Sequence, residues 1–403
     1  MSSIQVTTNF KDSNGSDLGT KLVTKDYLIS VYPEIGQQIG IPPELWTWGA
    51  GPNGRLGNAT ITNSSTPVTT FAGGTNWKQV STGSFHTAAI KTDGTLWVWG
   101  SGEDGRLGNA AITNRSTPVT TFAGGTNWKQ VSGGGAHTAA IKTDGTLWTW
   151  GAEANGRLGN GATIASISTP VTTFAGGNNW KQVSCGSNHI AAIKTDGTLW
   201  TWGAGANGRL GNAAIADRST PVTTFAGGTN WKQVDSGGSH SAAIKTDGTL
   251  WTWGLGASAQ LGNTATTDSS TPVTTFAGGT NWKQVSAGGF HTVAIKTDGT
   301  LWGWGSEGDG RLGNGATIAS ISTPVTTFSG GTNWKQVDSG GANTSAIKTD
   351  GTLWTWGSGG YGQLGNVDIT NRSTPITTFA GGTNWKQVNS GNGHTVAIKS
   401  IDF

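Results

Sequence analysis

The chain has 403 residues, 67 of them Gly, and only 12% are charged, against a usual ~7% Gly and ~25% charged. One Met, one Cys and three Tyr stand beside 21 Trp; so few helix formers exclude a helical bundle, and the single Cys185 excludes a disulfide framework or a four-Cys zinc site. The net charge of +3, from 25 basic and 22 acidic side chains, is too small to indicate a nucleic-acid binder, and no apolar run reaches the length needed to insert in a membrane.

Residues 1–44 do not repeat. Residues 1–19 are polar, rich in Gly, Ser, Asn and Asp, and read as extended; their start lacks the features of a signal peptide. Thr24 caps a predicted short helix over 25–32 that Pro33 stops. Tyr27, Leu28, Val31 and Tyr32 are that helix's candidate anchor residues, and residues 36–43 link it to the repetitive part of the chain.

From residue 45 to 403 the chain is one repeat of 51 or 52 residues, read seven times. Each unit contains four short runs rich in β-branched or aromatic residues, bounded by Gly, Pro, Asn and Ser. In chain order they are Leu-Trp-x-Trp-Gly (strand a), Pro-Val-Thr-Thr-Phe (b), Trp-Lys-Gln-Val (c) and His-Thr-Ala-Ala-Ile-Lys (d). Strands d and a are joined through Asp-Gly, as at Asp93-Gly94, a tight-hairpin signal because Gly accepts positive φ. Seven four-stranded units of this period predict an all-β, seven-bladed propeller. The first unit supplies an a and b with no c and d before them, and the last a c and d with no a and b after them. Pairing the two ends closes the ring and removes two free edges.

The strings Gly-Arg-Leu-Gly-Asn (54–58, 105–109) and Gly-Gln-Leu-Gly-Asn (362–366) resemble the Gly-Gln-Leu-Gly signature of the regulator of chromosome condensation repeats. Cys185-Gly186-Ser187-Asn188-His189 resembles that family's Cys-Gly-x-x-His element. The resemblance extends over all seven units and implies the same propeller. It does not imply nucleotide exchange, since the units carry no large insertion, and members of the family include inhibitors, scaffolds and surface binders. The stretch 17–33 resembles the short leader that precedes such propellers in virion proteins of aquatic tailed bacteriophages.

The Trp rings read as core, because a chain so poor in Leu and Met has little else to bury. Six His recur at one position (His86, His137, His189, His240, His291, His394), with Asn343 in the seventh unit. A ring of imidazoles suggests metal, but equivalent points on separate blades are too far apart to share one ion. The expectation is therefore a buried polar group bonded to a neighbouring blade's backbone, with no metal. Cys185 occupies a position held elsewhere by Thr, Gly, Ser or Ala and reads as filler. The fixed Arg of the a–b loop, replaced by Gln260 and Gln363, reads as a donor to loop carbonyls. Glu103, Asp104 and Glu153 on adjacent loops are the only carboxylates that a glycosidase reading can use. The expectation is no catalytic set and no cofactor.

Antiparallel strands put the c–d turns and a–b loops on one face, and the d–a turns and b–c links on the other. The second face is nearly invariant, and the first holds most of the variation. Candidate binding residues there are Phe85, Asn188, Ser239 and Phe290 in c–d turns, and Glu103, Asp104, Glu153, Asp309 and Tyr361 in a–b loops. The resulting expectation is a non-enzymatic, virion-associated propeller. Residues 1–44 would anchor it to other virion proteins and offer a route to oligomers, and the variable face would bind a host-surface glycan or protein. The alternative is a cytoplasmic interaction scaffold or protein inhibitor using the same face.

Overall fold

The computed structural model describes residues 3–4, 23–24, 43–71, 74–163, 165–317 and 320–400. Strands form where the repeat places them, with blade 1 typical: c is Trp77–Thr82, d His86–Lys91, a Leu96–Gly100 and b Arg115–Thr120. Seven antiparallel sheets result, each ordered c-d-a-b. Neighbouring c strands touch all the way round, including Trp385–Ser390 against Trp77–Thr82. Strand c therefore lines the axis and b lies outermost. The b strand ends at Thr120 rather than at the aromatic beyond it, so Phe122 and its six equivalents stand outside the sheet, about 70% exposed.

Both ends of the repeat build the seventh blade. Trp385–Ser390 and His394–Lys399 supply c and d, while Glu44–Gly49 and Ser64–Thr69 supply a and b. The seam is an unbroken ladder from Glu44 opposite Lys399 to Gly49 opposite His394.

The hydrophobic core lies between blades rather than within them. Ala88, Ile90, Leu96 and Val98 of blade 1 pack on Trp128, Val131, Ala140 and Trp150 of blade 2. The c-strand Trp and the second Trp of strand a are essentially fully buried, and the first Trp of a is half-buried. Trp77 stands edge-on to Trp97 at 6.5 Å and to Trp99 at 6.2 Å, the arrangement that aromatic quadrupoles favour. Lys91, at the end of d, places its ammonium 4.9 and 4.7 Å from the Trp77 and Trp97 rings.

The a–b loop dips between blades, which accounts for its Gly-Arg-Leu-Gly string. Leu56 is fully buried, and its carbonyl accepts the Thr47 hydroxyl at 2.8 Å. The Arg55 carbonyl accepts two bonds from the next blade, Trp99 Nε1 and Thr87 Oγ1, both at 2.9 Å. Gly57 has φ +67°, and a Cβ there would fall 2.6 Å from Trp99 Nε1, so both the backbone and the space require glycine.

Val23–Thr24 pairs as a short strand with Ser3–Ile4. The proposed helix over 25–32, with Tyr27, Leu28, Val31 and Tyr32, lies outside the described residues. Pro43 enters on the face of the d–a turns, where its carbonyl accepts the Trp77 N–H; in the next blade the turn residue Gly94 holds that place for Trp128.

Candidate functional site at the upper mouth

The upper face, formed by c–d turns and a–b loops, is held rigid by rings of hydrogen bonds between blades. In the first ring every c-strand Gln reaches the next blade's Val: Gln79 Nε2 donates to Val131 O at 2.9 Å and its Oε1 accepts Val131 N–H at 3.0 Å. The pattern closes across the seam, where Gln387 serves Val80. In a second ring, Ser81, Ser132, Ser184, Asp235, Ser286, Asp338 and Asn389 each accept an N–H from the following blade. Burial raises the carboxyl pKa of Asp235 and Asp338, and for Asp338 the Asp235 charge adds to it.

The His form a third ring. His86 Nε2 meets Thr138 Oγ1 at 2.8 Å, and that hydroxyl donates to the Arg106 carbonyl at 2.8 Å. With the hydroxyl proton committed, Nε2 must be the protonated ring nitrogen and donate. His189, His240, His291 and His394 do the same with Ser241, Thr292, Thr344 and Thr87. The partner is thus a side-chain hydroxyl that relays to a loop carbonyl, not the backbone expected from sequence. Burial first, then nearby Arg charge, pushes the His86 pKa down to about 3, so the ring is neutral. Two members lack the bond. His137 faces a blade in which Ile190 replaces the hydroxyl, and both of its nitrogens are buried without a partner. Asn343, also buried, leaves both amide atoms unpartnered.

Inside these rings the c–d turns enclose a funnel of about 550 Å³, lined mostly by Gly, Ser and Ala, with Arg311 its single charged side chain among the described residues. Asn188, Ser239 and Phe290 line it. Cys185 lies in its wall, buried, with its thiol pushed up to about 12 by burial, which leaves it unreactive. Adjacent turns bond to each other through backbone, as Ser84 N–H to Gly134 O. The blade 7 turn instead folds on itself, Gly393 N–H to Gly391 O.

The structure gathers some of the proposed binding residues and separates others. Phe85 is 41% exposed, with Arg55 Cζ 5.0 Å and Arg106 Cζ 5.9 Å from its ring. Tyr361, 56% exposed, packs over Gly393 in the blade 7 turn. Arg106 binds Asp104 at 3.1 Å and Glu103 at 3.7 Å. Arg55, Phe85, Arg106 and Asp104 therefore form one continuous stripe along the rim, and Tyr361 stands over the c–d turn of blade 7. Phe290, 49% exposed, stands apart on blade 5, and Asp309 pairs with Arg311 at 3.2 Å. The loop Arg residues also donate through Nε to their own loop's carbonyl, as Arg55 does to Pro52 O at 3.0 Å.

Glu153 is not a surface residue. It is 1% exposed, its Oε2 accepts the Leu158 N–H at 3.1 Å, and burial lifts its pKa to about 7. Glu307 is its equivalent, with both oxygens unpartnered and a pKa raised to about 8. Gly stands there in the five other units, and a Cβ on Gly51 would come within 1.8 Å of Thr62 O. The two Glu occur only in the units whose a–b loop is one residue longer. Glu153 thus cannot share a surface site with Glu103 and Asp104. Sequence reading also passed over the hydroxyls next to the His; their signal was present, because Ile190 alone interrupts Thr or Ser at that position.

A family model described as the RCC1-like domain matches residues 44–397. The ultraviolet-B receptor UVR8 of Arabidopsis thaliana is 32% identical over 334 residues, which are 82% of this chain and 76% of that one. Human E3 ubiquitin-protein ligase HERC2 is 29% identical over 292 residues, 70% of this chain but 6% of that much longer one. Among solved structures, human WBSCR16 has a TM-score of 0.79 at 20% identity, covering 90% of this chain and all 100% of that one. Yeast RCC1 (Prp20), solved with Kap60, has a TM-score of 0.78 at 20% identity over 89% of each chain. At that identity the likeness is one of fold.

Proposed function

The chain belongs to the RCC1-like domain family, and from that premise we propose that it is a non-enzymatic interaction scaffold whose upper rim receives a protein partner. The observation that carries this reading is the stripe of Arg55, Phe85 and Arg106, with Tyr361 exposed over the blade 7 turn. Tyr, Phe and Arg are enriched at the centres of protein interfaces, and here they are held on loops pinned by bonds between blades. A pre-fixed rim loses little conformational entropy on binding. The funnel wall supports the same reading. Its thiol is unreactive, no His lines it among the described residues, and its lining is mostly Gly, Ser and Ala. Solved fold relatives include a protein seen with Kap60 and studied for binding to Gsp1p and histones, which are partners of that protein.

Affinity capture with the full chain tests the proposal. One stoichiometric partner is expected to be retained by the wild type and by F225A, which removes an exposed ring from the opposite face. Phe85→Ala with Tyr361→Ala should lose that partner by about 30-fold or more, the effect of removing a strong interface anchor. Equal capture by the rim variant would overturn the assignment.

A second reading keeps the same rim but places the protein in a virion, with a host-surface molecule or virion protein as partner. It is favoured by the leader-like stretch 17–33, and by Pro43, whose carbonyl bonds Trp77 on the face opposite the rim. An antibody to the propeller, used on a density gradient of the source lysate, separates the readings. Signal in the particle band supports the virion, and signal confined to the soluble fractions removes it.

A further inference from the structure

The lower mouth of the channel carries a second, chemically different feature. In every blade the pairing of strands c and d slips by one residue between the c-strand Trp and Gln, as between Trp77 and Gln79 opposite Lys91 and Ile90. The extra residue is always Lys: Lys78, Lys129, Lys181, Lys232, Lys283, Lys335 and Lys386. A bulge takes its residue out of the strand's alternation and re-aims the side chain. Trp77 faces the preceding blade and Gln79 the following one. With both sheet faces taken and strand d on the third side, Lys78 is left on the open edge beside the axis, and all seven are exposed.

These lysines differ from the other lysines of the fold and from the Arg that form its ion pairs. The seven at the ends of d sit over Trp pairs, as Lys91 does at 4.7 Å from Trp97. The four ion pairs among the described residues all belong to Arg of the a–b loops and the b strands after them. The nearest repeated acids, the d–a turn Asp residues, spend one oxygen on their own turn: Asp93 Oδ1 accepts both the N–H and the hydroxyl of Thr95. None of the bulge lysines has a hydrogen bond or ion pair among the described residues. The inner strands of neighbouring blades approach within 8 Å, Cα to Cα. Several ammonium groups on flexible stems can therefore reach one ligand on the axis together.

We propose that this ring is a binding site for a compact, multiply phosphorylated small molecule. Lys ammonium is a point charge that neutralises phosphate without demanding the planar fork geometry of Arg. No aromatic face or paired donor accompanies the lysines, so recognition rests on the number of charges converging on one point. That favours a dense anion at the axis over an extended chain.

Inositol hexakisphosphate is the probe, titrated calorimetrically into the full chain at several salt concentrations. Expected are one ligand per propeller and a steep fall of affinity with salt, which inorganic phosphate at equal phosphorus does not reproduce. K78Q/K181Q/K283Q should weaken binding at least tenfold and flatten the salt slope by roughly one per engaged lysine removed. The matched control, R115Q/R218Q/R372Q, removes three charges from the upper half and should bind as the wild type does. Circular dichroism of each variant reports folding, because Gln preserves the stem at an exposed site. Absence of binding at low salt, equal loss in both triple variants, or tighter binding of a single-stranded oligonucleotide than of the inositol phosphate would each overturn the proposal.

Discussion

Asn343→His should make the propeller more stable. The native Asn is fully buried, and both its amide nitrogen and its amide oxygen lack partners. Thr395, on the next blade, stands where hydroxyls accept from His elsewhere, and its own proton already goes to Gln363 O at 2.9 Å. In the five intact pairs, His Nε2 lies 2.8–3.1 Å from that hydroxyl. The substitution replaces two orphaned atoms by one hydrogen bond and one orphan, since Nδ1 is unpartnered in those His as well. An unsatisfied buried group costs ~1–3 kcal/mol and a buried hydrogen bond contributes ~1 kcal/mol, so the expected net gain is about 1–2 kcal/mol. Urea unfolding at pH 7 reads this as a rise in midpoint at unchanged slope. Thr395→Val completes a double-mutant cycle. It leaves Gln363 O still bonded by Trp48 Nε1 at 2.9 Å, and the two sites should couple by about 1 kcal/mol. Equal or lower stability of the His variant, or a gain that persists when Thr395 is Val, would refute the relay.

Glu307→Gln tests the buried acid. Its pKa rises from 4.5 to about 8 on folding, so the neutral form supports the fold fully below about pH 4.5, and that support is lost as pH rises to 8. The wild type should therefore weaken relative to the Gln variant across that window, with a ceiling of about 5 kcal/mol; parallel stability-versus-pH curves would contradict it. Truncation after Gln387 removes the d strand that pairs Glu44–Gly49, and should abolish cooperative melting rather than trim one blade. Gln387→Ala strips two bonds from the seam, to Val80 N and O, leaving buried backbone groups unpaired. A loss of about 2–4 kcal/mol in chemical unfolding is expected, and a loss no larger than for an exposed Lys→Ala would count against the amide ring.

The propeller was legible because its determinants are local and repeated. Asp-Gly turns, alternation in b and c, and a phase shift between the chain ends each leave a mark in one line of residues. The site was less legible for the opposite reason. Phe85 and Tyr361 belong to different loops almost three hundred residues apart, and they share one side of the rim only because blade 7 closes beside blade 1. Glu153 was misread because exposure was inferred from its loop, while an a–b loop that dips between blades buries part of itself. The His partners required knowing that a residue on one d strand faces the next d strand's second position. No spacing within a single unit encodes that.

The departures from repetition are placed unevenly, and their cost argues against indifferent drift. Ile190 strands His137, Asn343 strands itself, and Glu307 buries a carboxyl without partners. All three lie in the upper half, beside the loops where Phe85, Phe290 and Tyr361 also break the pattern. In the lower half, Lys78, Lys91 and Asp93 recur almost without change, although Lys78 is exposed and touches nothing that would fix its identity. Duplication alone makes both halves uniform, and later drift would strike exposed lower residues before buried upper ones. The observed order is reversed. A rim that changes at a cost of kilocalories, above a cationic mouth that stays constant while solvated, is what two different binding tasks on one scaffold would leave behind. The upper rim would follow a partner that varies, and the lower ring a charge that does not.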